Sequence, residues 1–416
     1  MHAPRRLAFV FVACARTSPS SDGAVVLLPA PSSAPSAAAK PAASTAPRPP
    51  ASGRSLAIIG GDLVDLGTVA PLHTLTTDLV LSSAVAGDTA YAFARGEIRA
   101  YDVETGALRW SRPTASCASI AATTHGVFCG DATTQLFDAA TGMSHVIGAA
   151  TPVHSIVELS GRVLVLHTDK KLESFDDAGV LGGTVNVPVM PDGAYARAAL
   201  SSSGALSCGA QRNNVATLVF CIDASPKIVW QRTIPVASGL LVHSDDGALV
   251  LASDVWSKAI SSEVLRPTDG TTLLHVPAVR LGAALTTAGV FDGALASEPD
   301  VALYDPHGTV VWRWRPPFGH DEGIRAVRVG SNIALALYSP IATGTQLFAV
   351  DATSGTLAWT ANVDQLPIAH SKYSNAVQLD MNRTGMLLRG HESSQDYAQE
   401  FDPRTGGRTA SVLRRR

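Results

Sequence analysis

Alternating apolar and polar positions recur along the chain in short runs that end at the same kind of turn. One example is AYDVETGALRW at residues 100–110, and another is FAVDATSGTLAW at residues 348–359. In both, an apolar run leads to an Asp, a Thr–Gly or Ser–Gly turn follows, and a Trp lies in the next apolar run. Period-two alternation on both sides of a tight turn predicts two antiparallel strands.

Eight copies of this motif follow one another between residues 97 and 413. The Asp carboxylate can accept backbone N–H bonds of the turn, and the Gly can adopt a positive φ. We therefore interpret these residues as structural and not as ligands. In the clearest copies they are Asp102, Gly106, Asp138, Gly142, Asp305, Gly308, Asp351, Gly355, Asp402 and Gly406.

A second strand pair precedes each motif, such as residues 77–96 before the first copy. Repeated four-stranded antiparallel units predict an all-β fold, namely an eight-bladed β-propeller. A signal peptide and a linker are expected to precede it. The Trp is expected to wedge against a neighbouring blade, and smaller groups to fill the interfaces of copies that lack it. A strand within residues 56–69 is expected to pair with the last blade and close the ring.

The N-terminal sequence predicts that the protein is exported. Residues 1–13 combine a basic start with the short apolar run LAFVFVA, which fits a signal peptide and is too short to span a bilayer. The stretch FVAC at 11–14 resembles a bacterial lipobox, so Cys14 is a candidate lipidation site; the alternative is an ordinary secretory signal. Residues 14–54 are rich in Pro, Ala and Ser, which predicts a disordered tether before the propeller at 55–416.

Four further cysteines are compatible with disulfides in an exported domain. Cys208 and Cys221 flank a loop between two apparent strands, which makes them a candidate cross-strand pair. Cys117 and Cys129 also flank a hairpin, although its turn places them out of register. The alternative is four buried thiols.

The composition, the charge and the absence of known catalytic motifs reduce the number of functional classes that the sequence supports. The chain has 416 residues, of which 46% are hydrophobic and 16% charged, with a net charge of −3. The sequence has no long basic block of the kind that would predict nucleic-acid binding. No GxSxG, HExxH, Walker or EF-hand pattern is present in the sequence.

The motif D-x-x-T/S-G-x-x-x-W after an apolar strand resembles the repeat of the pyrroloquinoline-quinone-type propellers, over residues 75–416. That superfamily includes quinoprotein alcohol dehydrogenases. It also includes cofactor-free relatives such as the lipoprotein subunit of the outer-membrane β-barrel assembly machine. The resemblance implies that a catalytic member would carry vicinal cysteines, which this sequence lacks. We therefore expect no cofactor and no bound metal.

In a propeller, the connections between successive blades gather on one face around the central channel, where ligands commonly bind. We predict a channel-mouth binding site from polar residues in or beside these connections. They are His154, Arg280, His320, Asp321, Arg325, His370 and Tyr373.

The sequence thus predicts a non-catalytic, monomeric propeller, lipid-anchored in a bacterial cell envelope or else secreted, that binds a protein or an envelope component. Two alternatives remain open. One is a scaffold subunit in outer-membrane protein assembly, and the other is an enzyme that uses the central channel as a quinone-dependent dehydrogenase, lyase or hydrolase.

Overall fold

Every regular element in the described part of the chain is a β-strand. The computed structural model describes residues 55–189, 201–203, 206–212, 216–234, 238–243, 249–253, 262–266, 268–276, 280–286, 289–294, 300–305, 307, 309–315, 324–330, 333–338, 345–363, 377–381, 385–392 and 395–415. Their strands form one three-stranded sheet, called the N-terminal sheet, and eight four-stranded sheets, called blades 1 to 8. In every sheet the strands pair antiparallel in chain order.

The strand bounds of the first five sheets are as follows. The N-terminal sheet contains β1 (Leu56–Ile59), β2 (Asp62–Asp65) and β3 (Ala70–Thr74). Blade 1 contains β4 (Val80–Ala86), β5 (Thr89–Ala94), β6 (Glu97–Asp102) and β7 (Leu108–Pro113). Blade 2 contains β8 (Ser119–Ala122), β9 (Gly126–Gly130), β10 (Thr134–Asp138) and β11 (Ser144–Ile147). Blade 3 contains β12 (Val153–Leu159), β13 (Arg162–His167), β14 (Lys171–Phe175) and β15 (Leu181–Asn186). Blade 4 contains β16 (Ser201–Ser203), β17 (Leu206–Arg212), β18 (Thr217–Asp223) and β19 (Ile228–Ile234).

The remaining four blades repeat the same order. Blade 5 contains β20 (Ser238–His243), β21 (Leu249–Ser253), β22 (Ser262–Leu265) and β23 (Thr272–Val276). Blade 6 contains β24 (Arg280–Thr286), β25 (Gly289–Ala294), β26 (Val301–Tyr304) and β27 (Val310–Trp314). Blade 7 contains β28 (Ile324–Gly330), β29 (Ile333–Tyr338), β30 (Thr345–Asp351) and β31 (Leu357–Val363). Blade 8 contains β32 (Val377–Met381), β33 (Met386–Glu392), β34 (Gln395–Phe401) and β35 (Arg408–Arg415).

The sheets are neighbours in chain order. The first strand of each blade contacts the first strand of the next, from β4 and β8 through to β28 and β32. The N-terminal sheet lies between the two ends of this series, because β1 contacts β4 and also β34 and β35. Two apolar clusters fill these interfaces. Val64 and Leu66 pack with Leu387 and Val412 of blade 8, and Leu63 packs with residues of blade 1.

The N-terminal strands do not pair with the last blade as the sequence suggested. Leu56–Ile59 pairs with Asp62–Asp65 instead, because Gly60 and Gly61 both have positive φ and turn β1 back onto β2. The link to blade 8 is made by packing and by a hydrogen bond of 3.1 Å from the Gly60 amide to Oδ2 of Asp396. The residues form a sheet of their own in addition to the eight blades.

The repeated Asp caps the turn between the third and fourth strands of each blade. In blade 1, Oδ1 of Asp102 accepts the amides of Glu104 and Thr105 at 3.0 and 2.9 Å. Burial raises the pKa of Asp102, but hydrogen bonds from Arg109 and Thr105 outweigh it and bring the pKa down to about 2. Gly106 follows at φ 70°.

The same cap recurs in the other copies. Asp138, Asp305, Asp351 and Asp402 each accept at least one turn amide. The glycines that follow three of them, Gly142, Gly355 and Gly406, have φ between 66° and 71°; Gly308 lies outside the described residues. In blade 5, where the sequence has Arg266 in place of the Asp, Asp269 caps the turn through the amide of Thr271.

A tryptophan of one blade packs on the glycine turn of the next. A Cβ built on Gly142 would lie only 2.6 Å from Cδ2 of Trp110, so no larger residue fits there without movement. The indole Nε1 of Trp110 donates to the carbonyl of Ala139 at 2.9 Å. Trp312 packs on Gly355 and Trp359 on Gly406 with the corresponding hydrogen bonds.

A bulge in the fourth strand precedes each docked tryptophan. In blade 1, Ala100 pairs with Trp110 while Tyr101 pairs with Leu108, which leaves Arg109 as the extra residue. A bulge of this kind bends the strand and re-aims the following side chain. Blade 2 has no tryptophan at this position, and Leu136 and Ile147 lie against Gly179 of blade 3 instead. Smaller apolar groups fill that interface, as the sequence predicted.

The four cysteines of the folded part form two disulfides. Cys208 and Cys221 lie directly opposite each other on β17 and β18, with their Cα atoms 4.1 Å apart. Cys117 and Cys129 are also joined, with a Cα separation of 5.2 Å. The register pairs Cys129 with Ile120, and Cys117 reaches it because it lies in the segment before β8.

The contribution of the Trp110–Gly142 packing to the free energy of unfolding can be separated from that of backbone strain by a matched pair of substitutions. Gly142 and Gly161 both have positive φ, but a Cβ on Gly161 would meet nothing within 4 Å. Gly161→Ala should therefore cost about 1–2 kcal/mol, from φ alone. Gly142→Ala should cost about 1–3 kcal/mol more, because it overpacks the indole. Urea unfolding measures both, and equal losses would contradict the docking contact.

Candidate binding site

The first strand of five blades carries a β-bulge at its second residue. In β12, Val153 pairs with His167 and Ser155 pairs with Leu166, so His154 is the extra residue. Since all five bulges follow the start of a first strand, they lie at the same end of the sheets, which we call the bulged end. The extra residues are Leu81, His154, Gly239, Leu281 and Arg325.

Bulges at barrel rims commonly turn a side chain towards a binding site. Leu81 is 58% exposed although it lies on a strand whose other residues are at least half-buried. His154 is exposed on the same kind of strand. An apolar and an imidazole side chain are thus presented to solvent at the bulged end.

An ion-pair network holds the connection that enters blade 1 at this end. Nη1 of Arg99 lies 2.8 Å from Oδ2 of Asp78, and Nε of Arg95 lies 2.8 Å from Oδ1. Nη2 of Arg99 also lies 3.0 Å from Oε2 of Glu97. The hydrogen bond from Arg99 lowers the pKa of Asp78, and the pKa of Glu97 is lowered by Arg99 together with Ser111. Both carboxylates are therefore held ionised.

Blade 3 carries a buried counterpart of this network. Glu173 is 1% exposed, and its Oε2 lies 3.1 Å from Nε2 of His167 and 3.0 Å from the amide of Ala149. Nζ of Lys171 lies 2.8 Å from Oε1 of Glu173. Burial raises the pKa of Glu173, but these donors outweigh burial and the pKa is lowered. Nδ1 of His167 lies 3.1 Å from the carbonyl of Thr151, which fixes the connection from blade 2.

The turn between β13 and β14 holds a backbone conformation that is rare for its residue type. Lys170 has φ 73° and is half-buried. Burial lowers the pKa of its ammonium group, against the opposing effect of Asp169. A non-glycine residue at positive φ costs about 1–3 kcal/mol and is frequent at functional sites. Lys170 is therefore part of the candidate surface.

A disulfide fixes the connection between blades 1 and 2. Cys117 lies in that connection and is bonded to Cys129 of β9. The hydroxyl of Ser82, next to the bulged Leu81, donates to the carbonyl of Cys117 at 2.7 Å. The connections into the first three blades are thus held by ion pairs, a disulfide and a buried carboxylate.

Three of the predicted channel-mouth residues lie at the bulged end. His154 and Arg325 are the extra residues of their bulges, and Arg280 is the first residue of β24. His320, Asp321, His370 and Tyr373 lie outside the described residues, as does Cys14.

Sequence reasoning missed the charged residues beneath this surface. Glu173 in the strand KLESF and Arg99 in EIRAYD are charges at interior positions of their strands, with an apolar residue directly before each. A charge is rarely buried unless it is paired. That rule was the available signal, but it does not identify the partners, some of which lie in the same blade and others, such as Asp78 and the amide of Ala149, in the connections.

Two absences hold for the described ranges. They contain no group of three His, Cys, Asp or Glu side chains that could hold a metal ion. Nor do these ranges contain a helix with the length and hydropathy needed to cross a membrane.

No family model matches the chain. No curated protein matches it either. Solved structures do match. BamB from Moraxella catarrhalis is 15% identical, with 74% of this chain and 95% of BamB covered and a TM-score of 0.44. A eukaryotic initiation factor is 11% identical, with 85% and 93% covered and a TM-score of 0.54. NirN, a dihydro-heme d1 dehydrogenase solved in complex with DHE, is 15% identical, with 77% and 76% covered and a TM-score of 0.47.

The described residues form successive four-stranded antiparallel sheets whose first strands contact one another in chain order, which is the arrangement of a β-propeller. The chain is a β-propeller. At 11% identity, the likeness to the initiation factor shows the fold alone.

The buried network of blade 3 gives a prediction with an internal control. Glu173→Gln should lower the free energy of unfolding at pH 7 by about 1–3 kcal/mol, because Lys171 and His167 lose a buried charged partner. Glu97→Gln removes a carboxylate that is 41% exposed and should lower the free energy of unfolding less than Glu173→Gln does, because water screens an exposed ion pair.

The pH dependence follows from the lowered pKa of Glu173. A depressed folded-state pKa contributes stability above the unfolded value, near 4.5, and loses it as the pH falls. The difference between wild type and Glu173→Gln in urea unfolding should therefore shrink below about pH 4.5. A difference that grows on acidification would contradict the network.

Proposed function

We propose that the chain is an exported, non-catalytic propeller that binds a protein or another component of a bacterial cell envelope at its bulged end. The observation that carries this proposal is the repetition of one bulge at the second residue of five first strands. A deformation that recurs at one position, at one end, suits a surface assembled from several blades. His154 and Leu81 are its described exposed members.

The electrostatics favour binding over acid–base catalysis. A general acid or base works best with a pKa near the operating pH. Three carboxylates at this end are shifted the other way, since hydrogen bonds and basic neighbours lower the pKa values of Asp78, Glu97 and Glu173. Groups held in this way make a rigid frame beneath the surface, which limits the ordering cost of binding.

The remaining parts of the proposal come from the sequence. Residues 1–13 would direct export, and a lipid on Cys14 would anchor a monomeric propeller to the envelope membrane, with residues 14–54 as its tether. A scaffold role in outer-membrane protein assembly is one form that such binding could take.

Affinity capture tests the proposal. The full chain with a C-terminal tag is incubated with envelope extract, and retained proteins are identified by mass spectrometry. His154→Ala, at the bulged end, should reduce capture of the specific partner at least fivefold. His145→Ala is the matched control, because His145 is an exposed histidine of the outer strand β11.

The same sample is analysed for metals and for quinone absorbance. Equal capture by His154→Ala and wild type would contradict binding at the bulged end. A stoichiometric metal or quinone without a protein partner would favour the enzyme alternative.

A further inference from the structure

His167 lies where blade 3 meets the connection from blade 2. It is the last residue of β13 and is completely buried. It pairs across the sheet with Val153, the residue directly before the bulged His154. His167 therefore lies beside the point at which the connection enters β12.

Both ring nitrogens of His167 contact oxygen atoms. Nε2 lies 3.1 Å from Oε2 of Glu173, and Nδ1 lies 3.1 Å from the carbonyl oxygen of Thr151. A carbonyl oxygen can only accept a hydrogen bond, and the same is true of an ionised carboxylate. Two acceptors facing two ring nitrogens require two N–H groups, and a histidine has two only when its ring is protonated.

The carboxyl group of Glu173 is ionised, so it cannot donate a proton to the ring. Its Oε2 also accepts the amide of Ala149 at 3.0 Å, and Nζ of Lys171 donates to Oε1 at 2.8 Å. Burial raises the pKa of Glu173, but these hydrogen bonds and that of His167 outweigh burial and lower the pKa. A neutral His167 ring would leave one buried nitrogen lone pair facing an oxygen, which costs free energy.

We propose that His167 is a buried imidazolium ion that clamps the connection between blades 2 and 3, and that this clamp opens when the ring loses its proton. The protonated ring bridges the carboxylate of Glu173 and the carbonyl of Thr151, so it joins β14 to the connection. A neutral ring has one N–H and can keep only one of the two bonds.

The sign of the pH dependence follows from this geometry. The clamp needs the protonated ring, so it is closed at acidic pH and opens as the pH rises. Imidazole groups change charge between about pH 5 and 8, which places the transition near neutrality. The ring gives its proton to solvent, and the connection loses a charged donor.

Two backbone amides report on the position of the connection. The amide of Ala149 donates to Glu173, and the amide of Thr168 donates to the carbonyl of Pro152 at 2.9 Å. Both bonds join the connection to the ends of β13 and β14, so opening of the clamp should expose both. The clamp is a property of the fold and does not depend on whether the bulged end binds a partner.

Other ionisable side chains on the described elements around His167 could also contribute to a pH dependence. Carboxylates ordinarily titrate below the range of imidazole and lysines above it, although burial lowers the pKa of Lys170. The test must therefore separate His167 from a second histidine and from this lysine. The side chains are Glu173 and Lys171 on β14, Asp169 and Lys170 in the turn before it, His154 and Glu158 on β12, and Asp131 after β9.

Blade 1 has a corresponding clamp that does not titrate in this range. Arg99 is the third residue of β6, as Glu173 is of β14, and its Nη1 lies 2.8 Å from Oδ2 of Asp78 in the connection that enters β4. A guanidinium group stays protonated throughout the neutral range, and its hydrogen bond lowers the pKa of Asp78. The connection into blade 1 is therefore an internal control.

Two measurements on the full chain test the proposal. Nitrogen-15 NMR reports the protonation of each ring nitrogen of His167, once its signals are assigned through the backbone resonances. Both nitrogens should carry a proton at about pH 6, and one should have lost it at about pH 8.5. Hydrogen exchange at the same two pH values gives protection factors, which are corrected for the intrinsic pH dependence of exchange.

The protection factors of the Ala149 and Thr168 amides should fall at least tenfold between the two pH values. The amide of Asp78, which donates to Oγ1 of Thr76 at 3.1 Å, should change less than twofold. In His167→Gln the side chain does not titrate, so the Ala149 and Thr168 amides should have equal protection at both pH values.

Four results would overturn the proposal. A single N–H on the His167 ring at about pH 6 would show that the ring is neutral, and two at about pH 8.5 would show that it does not switch. Loss of the proton with unchanged protection would show that the ring does not hold the connection. The same fall in protection in His167→Gln would assign the pH dependence to another group, such as His154 or Lys170. The first three results need only the wild-type chain, so they decide even where the variant does not fold.

Discussion

The packing of one ring on one glycine turn, from sheet to sheet, is the contact on which the architecture depends. Trp110 on Gly142 shows its parts: a bulge aims the ring, a residue without a Cβ lets it approach, and a carbonyl accepts its N–H. Each part would be weak alone. Where a tryptophan is present, between blades 1 and 2, 4 and 5, 6 and 7, and 7 and 8, they fix the position of one sheet relative to the next.

This contact also explains why the two ends of the sheets differ. The Asp caps and glycine turns lie at the end where the rings dock, so the residues of that end have structural roles. The opposite end carries the connections between blades, and there the first strands bulge. Under the proposed function, separate ends for stability and for binding would allow residues such as His154 and Leu81 to be presented on a rigid frame.

The repeats could be predicted from the sequence because their signals are local. An Asp, a Gly and a Trp at fixed spacing specify a turn and a docking ring without knowledge of distant residues, and the eight copies correspond to the eight four-stranded sheets. The disulfide of Cys208 and Cys221 follows from the same local register. Cys117 and Cys129 were harder to pair, because Cys117 lies before its strand begins.

Other features depend on contacts that the sequence does not display. The sequence predicts only a strand within residues 56–69 that pairs with the last blade, because this segment lacks the tryptophan that marks the repeat. The first-strand bulges add one residue without altering the apolar pattern. Arg99 and Glu173 have partners in their own blades and also in the connections, at Asp78 and the amide of Ala149, so a buried charge could be noticed but its full set of partners could not be assigned.

A crystal structure of the chain from residue 15 onwards would test the central claim most directly, by showing how the ring closes. The account predicts nine sheets around the channel, with His73 packed on Gly106 and the N-terminal sheet between blades 8 and 1. Eight sheets, with residues 56–59 paired to blade 8 as an added strand, would contradict it.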